Sequence, residues 1–298
     1  MKTRLFATLV AALAVTISPA THAQAPGGTL AKVQQTGQIT LGHREASVPF
    51  SYLDAEQKPV GYAMDLCSRI VDALRAELKM PSVKVALQPI NLGNQIPLLT
   101  NGTIDIVCGP VTNTLERQKQ VAFSNTIFVS SIRAAARRSE NIKRFADLNG
   151  KNVALTAAST SVTLLGQREQ EQKFETRKLT SPDHAASWLL VTTGRASAFV
   201  MDDILLASMV ANSAKPDDYV LLDEALRVEP YGLMFRKDDP QFKALVDNTL
   251  ASLVKSGELQ NLYTKWFMSP IPPKNVNLNF PMTQALKDAL ANPSDKGI

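Results

Sequence analysis

The stretch IPLLTNGTIDIVCGPVTNTLERQKQ, residues 96–120, decides the fold class. Ile96 to Leu99 opens a short helix. Asn101-Gly102 ends it, because these residues tolerate the left-handed backbone that closes helices. Ile104 to Cys108 is a short apolar run, the pattern of a strand buried on both faces. Thr114 to Gln120 returns to a helix. Upstream, Ile39 to Gly42 reads as a strand and Val83 to Ile90 as another. Between them Met64 to Leu78 is a helix with Cys67, Ile70, Val71, Leu74 and Leu78 on one face.

Downstream the alternation starts again. Asn152 to Thr156 is a strand, a helix begins near Ser159 to Ser161, and Pro182 to Leu190 is helical. Ala196 to Met201 is an apolar strand that ends at Asp202-Asp203, before a helix from Ile204 to Val210. Tyr231 to Arg236 reads as one strand. Gln241 to Lys255 is an amphipathic helix, and Leu259 to Phe267 is a last helix stopped by Pro270, Pro272 and Pro273. Repeated βα units predict an α/β protein with mostly parallel sheets covered on both faces.

The chain has 298 residues, 45% of them hydrophobic and 20% charged, which is globular composition rather than disorder. The net charge of +5 is mild and scattered, and aromatics at 6% are few. A nucleic-acid surface is therefore not expected.

Lys2 and Arg4 followed by the apolar run Leu5 to Ile17 and Thr21-His22-Ala23 read as a secretory signal peptide, cleaved after Ala23. No Cys lies near that point, and no later run is long enough to span a bilayer. The two cysteines, Cys67 and Cys108, have no metal-knuckle spacing. In an oxidising compartment they are expected to form one disulfide; the alternative is a pair of small buried hydrophobes. Only His43 and His184 lie beyond the leader, so neither a metal site nor a cofactor is expected. There is no P-loop, G-x-G-x-x-G, H-E-x-x-H, G-x-S-x-G or EF-hand loop. Ser181, His184 and Asp203 could be assembled into a triad on paper, as residues of any long chain could.

Several segments in order carry a resemblance. They are GHREASVPFSYLD (42–54), PVGYAMDLC (59–67), IPLLTNGTIDIVCG (96–109), TLERQKQVAFSNTIF (114–128), FADLNGKNVAL (145–155), FVMDDILLA (199–207), YGLMFRKDDPQFK (231–243) and KWFMSPIPPKNVNLNF (265–280). Together they resemble the periplasmic substrate-binding proteins of polar amino acid ABC transporters, solute-binding protein family 3, in its glutamate/aspartate-binding branch. The resemblance implies the type II periplasmic-binding-protein fold: two α/β lobes, a hinge of two crossing strands, and a ligand cleft between the lobes. It divides the chain into the signal peptide 1–23, lobe 1 at 24–130 with 230–298, and lobe 2 at 131–229.

The same resemblance implies a ligand site. Arg117 would grip the α-carboxylate with its guanidinium fork, as lysine cannot. Thr112 would hydrogen-bond the ligand. Thr160, at a helix start, would help hold a carboxylate, or serve only as a cap. Asp202 would bind the ammonium group, or cap the helix that follows; Asp203 would be its solvated neighbour. Arg44 and His184 would reach a side-chain carboxylate as positive donors. The branch carries an arginine where this chain has Gln95, and small hydroxyl residues where it has Leu92 and Pro110. An amide can take Gln95 as acceptor, so glutamine or asparagine is the alternative ligand.

The expected function is capture of an amino acid, glutamate or aspartate first, in the periplasm, and its delivery to an ABC permease complex in the inner membrane. A monomer without catalytic activity is expected. The competing enzyme reading is a periplasmic dehydratase on the same fold, which needs a cleft carboxylic acid; none beyond Asp202 is implied.

Overall fold

The computed structural model describes residues 27–298, so the expected leader lies outside the described residues. Helix α1 (Gly28–Thr36) ends at Gly37, whose φ of 69° is the left-handed conformation glycine adopts without strain. The chain turns there into β1 (Gln38–His43). A small antiparallel sheet of β2 (Ala46–Ser47), β3 (Ser51–Leu53) and β4 (Pro59–Val60) precedes α2 (Tyr62–Glu77). Next come β5 (Lys84–Pro89), α3 (Gln95–Thr100), β6 (Ile106–Cys108), α4 (Leu115–Gln118) and β7 (Val121–Phe123). Strand β8 (Phe128–Arg137) then leads into β9 (Asn152–Thr156), α5 (Thr160–Gln172), β10 (Arg177–Ser181) and α6 (His184–Thr192). They are followed by β11 (Ala198–Asp202), α7 (Asp203–Ala211), β12 (Tyr219–Leu221) and β13 (Val228–Tyr231). The chain finishes with β14 (Met234–Arg236), α8 (Pro240–Ser256), α9 (Glu258–Phe267), β15 (Pro270–Ile271), β16 (Val276–Asn277) and α10 (Gln284–Ala291).

Two large sheets result. The first has the order β5-β1-β6-β14-β7, the second β10-β9-β11-β8-β12, with β13 also paired to β8. Both are mixed, which corrects the mostly parallel expectation. The βα units do give parallel pairs, as β1 with β5 and β6, and β9 with β10 and β11. However, β14 and β8 enter antiparallel to their neighbours. Both strands belong to segments that pass from one sheet to the other, a direction that local periodicity does not encode.

The single strand expected over Tyr231–Arg236 is also corrected. It breaks at Gly232–Leu233, and its two sides serve different sheets: β13 pairs with β8, and β14 with β6 and β7. Gly232 is needed at the break, since a Cβ there would stand 3.1 Å from the Ser124 carbonyl oxygen. Around the crossing, Phe50, Phe128, Tyr231, Tyr263 and Phe267 are all buried to within 1%. Phe128 lies 4.9 Å edge-on from Phe50 and 5.2 Å stacked from Phe267. Each ring contributes about 2–3 kcal/mol by burial. The start of β8 and the end of β13 are thus anchored in one aromatic core.

Cys67, on the buried face of α2, is disulfide-bonded to Cys108 at the end of β6, with the Cα atoms 6.1 Å apart. Thiol titration of the unfolded, non-reduced protein is expected to find no free thiol. Reduction should cost ~2–4 kcal/mol and lower the melting temperature by on the order of 10 °C. Two free thiols, or an unchanged melting curve after reduction, would contradict the bridge.

Candidate ligand-binding site

Strand register places three polar side chains on one face. In β8, Phe128, Ser130 and Ile132 alternate to the same side. Their partners across the ladders are Tyr231, Glu229 and Asp202. Asp202, from β11, and Glu229, from β13, therefore flank β8 at its edge toward the first sheet. The loop after β6 is stitched to β13 from the other side: Asn113 N donates to the Pro230 carbonyl at 2.9 Å, and Gly232 N to the Val111 carbonyl at 3.1 Å. That stitching brings Thr112 against Glu229, and Thr112 Oγ1 donates to Glu229 Oε2 at 2.7 Å.

The second sheet contributes the start of α5. Ala158 has φ 59°, a conformation a side-chain-bearing residue adopts only when its surroundings hold it there. Ser159 is the N-cap but makes no side-chain cap bond, and the buried hydroxyls of Ser159 and Ser161 have no partner. Thr160 Oγ1 donates to Glu229 Oε2 at 2.9 Å. Arg117 spans the gap: Nη1 donates to the Thr112 carbonyl at 2.8 Å and Nη2 to the Ala158 carbonyl at 3.5 Å. Burial lowers the Arg117 pKa from its usual range, while Glu229 and Asp202 oppose that shift.

Asp202 is 4% exposed, its Oδ1 has no partner, and its side chain makes no cap bond to α7. Burial first, then the negative charges of Glu229 and Asp203, push its pKa up to about 8; the Tyr231 hydroxyl works against this. Asp203 departs from the expectation of a solvated neighbour. Its Oδ1 accepts from Ser130 Oγ at 2.8 Å, Ser131 N at 3.2 Å and Ile204 N at 2.8 Å, which ties α7 to β8. The reason is the strand-to-helix turn, which sends consecutive side chains to different elements.

Thr112, Arg117, Thr160, His184 and Asp202 line one cavity of 10 Å³, closed on its apolar side by Leu92, Pro110, Met201 and Leu205. That is about the size of one water. An amino acid can enter only if these walls separate. His184 also borders a 350 Å³ cavity with Arg44, Asn91, Asn94 and Asp183. Arg44 is 3% exposed with Nη1 unpartnered, and burial, then Arg117, lower its pKa to about 10. Gln95 is buried in the first turn of α3 with Oε1 unpartnered, and it lines neither cavity.

The expectation that His184 offers a positive charge is corrected. It is 3% exposed, its Nδ1 lies 3.0 Å from Thr156 Oγ1, and burial plus the Arg44 charge lower its pKa to about 3. It is a neutral imidazole at neutral pH. A further carboxylate, Glu229, is fully buried behind Thr112 and Thr160 and lines neither cavity. The sequence marks it only as an acid in the short polar stretch Arg227-Val228-Glu229-Pro230 before Tyr231. Among the described residues no cluster of His, Cys, Asp and Glu could hold a metal ion.

A family model, bacterial extracellular solute-binding proteins, family 3, matches residues 39–269. The chain is 46% identical, over the full length of both chains, to the glutamate/aspartate import solute-binding protein of Escherichia coli K12. It is 47% identical to the L-glutamate/L-aspartate-binding protein of Pseudomonas aeruginosa, over 90% of this chain and 89% of that one. Among solved structures it is similar to the ancestral amino acid-binding protein AncCDT-1, a precursor of cyclohexadienyl dehydratase. There the identity is 29% and the TM-score 0.68, over 80% of this chain and 98% of that chain.

Proposed function

The chain belongs to the bacterial extracellular solute-binding proteins, family 3, and on that premise we propose that the cleft around Arg117 and Asp202 captures glutamate or aspartate. The protein is a binding protein and not an enzyme; it takes an amino acid and delivers it to an ABC transporter. Its site of action is the periplasm, reached through a leader cleaved after Ala23, and it acts there as a monomer.

Residues 24–130 with 230–298, and residues 131–229, act as two lobes about the crossing strands β8 and β13. The 10 Å³ cavity supports this, since a ligand needs the walls to part. In the closed complex Arg117 holds the α-carboxylate, with the N-terminus of α5 beside it. Asp202 meets the ammonium group.

The observation that carries the acidic preference is Arg44. A buried guanidinium with an unpartnered Nη1 beside a 350 Å³ cavity needs a counter-charge. A ligand side-chain carboxylate supplies one, and His184 donates to it as a neutral imidazole. Gln95 lacks the charge of an arginine, which favours amides, but an amide leaves Arg44 with only Asp183, across the same cavity, to offset its charge. Calorimetric titration against all twenty amino acids should rank glutamate or aspartate first. In competition at pH 7, glutamine winning by about tenfold would overturn the acidic preference.

A further inference from the structure

We propose that Glu229 sets the polarity of the α-amino subsite: by taking the hydroxyl protons of Thr112 and Thr160, it turns both oxygens into acceptors for the ammonium group of the ligand. Glu229 is 0% exposed on β13. Its Oε1 accepts from Arg227 Nη2 at 2.6 Å and Nε at 3.1 Å, a charge-assisted pair on the side away from the cavity. Its Oε2 accepts from Thr112 at 2.7 Å and from Thr160 at 2.9 Å. An ionised carboxylate only accepts, and a hydroxyl has one proton and two lone pairs. Both threonines have therefore spent their proton on Glu229. Toward the cavity they line, they have acceptors alone.

Asp202 Oδ1, buried and unpartnered, is a third acceptor in the same cavity. Three acceptors match the three donors of an ammonium group. This reassigns Thr160: its hydroxyl serves the ammonium, while the backbone N–H groups of α5 remain for the carboxylate. A ligand with a hydroxyl in place of the amine brings one donor to three acceptors. A site built to hydrogen-bond an N–H rejects such an analogue strongly. Glu229 is a specificity-determining residue acting through the two threonines, one on each side of the cleft.

The test compares L-glutamate with (S)-2-hydroxyglutarate, by calorimetry and competition, in wild type, Glu229→Gln and Thr160→Val. Glutamine at 229 keeps its carbonyl oxygen for the Arg227 guanidinium and turns its NH2 to the threonines, which then accept from it and are free to donate their own protons into the cavity. Glu229→Gln should weaken glutamate by about tenfold or more and leave the hydroxy acid unchanged or tighter, so that the preference for the amine collapses by about tenfold. Thr160→Val, which keeps the shape, should weaken glutamate by about tenfold and the hydroxy acid by much less; it decides the matter if Glu229→Gln does not fold. A ratio within about threefold of wild type in the variant that folds overturns the inference, as does Thr160→Val weakening both ligands equally. The inference rests on the amino-acid reading above. A wild type that binds no amino acid overturns both, whereas binding with an unchanged ratio overturns this one alone.

Discussion

Arg117→Ala is expected to lose binding of every amino acid that the wild type binds, whatever its side chain. The guanidinium is the positive group that spans from the Thr112 carbonyl to the Ala158 carbonyl across the cleft. It also lies in the field of Glu229 and Asp202, which oppose the effect of its burial. Removing one partner of a desolvated charge pair costs ~3–5 kcal/mol, because the other charge stays buried and unpaired. That corresponds to roughly two to four decades of affinity. The loss should be uniform across ligands, since the α-carboxylate is common to all of them. The two carbonyls that Arg117 contacts can turn to water, so ligand-free stability should change little. Binding within about threefold of wild type would remove Arg117 from the clamp. A loss restricted to acidic ligands would move it to the side-chain subsite.

The second large effect is on pH. Asp202 has its pKa pushed up to about 8 by burial and by Glu229 and Asp203. The other groups that face it are the Tyr231 hydroxyl and Arg117. At pH 7 the carboxyl therefore holds a proton, and pairing with an ammonium group requires that the proton leave. Binding releases a proton, so affinity rises with pH up to about 8 and falls as pH drops below it. The limiting slope is about tenfold per pH unit. Between pH 8 and pH 6 the loss is up to about a hundredfold. His184, whose pKa is lowered to about 3, does not titrate in that window. Calorimetry at pH 6.5 in buffers of different ionisation enthalpy should read close to one proton released per ligand. Asp202→Asn should bind weakly and with a flat pH profile. No proton release together with constant affinity from pH 6 to 8 would show that Asp202 is already ionised in the free protein.

Much of the site is legible in the chain itself. Thr112 sits in a βα turn after a strand marked by a buried apolar run, and Arg117 in the short helix that follows. Asp202 closes another such run, and Thr160 stands at a helix start. These placements depend on local periodicity and on turn residues, which act over a few positions. The helices α2, α8 and α9 are legible for the same reason: each carries an apolar stripe along one face.

What the sequence by itself determined, then, is the set of βα units, the cysteine pair available to join α2 to β6, and the placement of Thr112, Arg117, Thr160 and Asp202 around the ends of those units. Only the tertiary structure decided which way β8 and β14 run, because strand direction follows from where the chain crosses between sheets. Only it brought Glu229 to Thr112, 117 positions away, through the pairing of β13 with β8 and the stitching of the Gly109–Thr114 loop. It also set the charge of the site. A histidine read as a cation is neutral once buried beside Arg44, and an aspartate read as an anion keeps its proton once buried beside Glu229. Ionisation depends on the dielectric and on the charges within a few ångströms, and neither exists until distant segments have packed together.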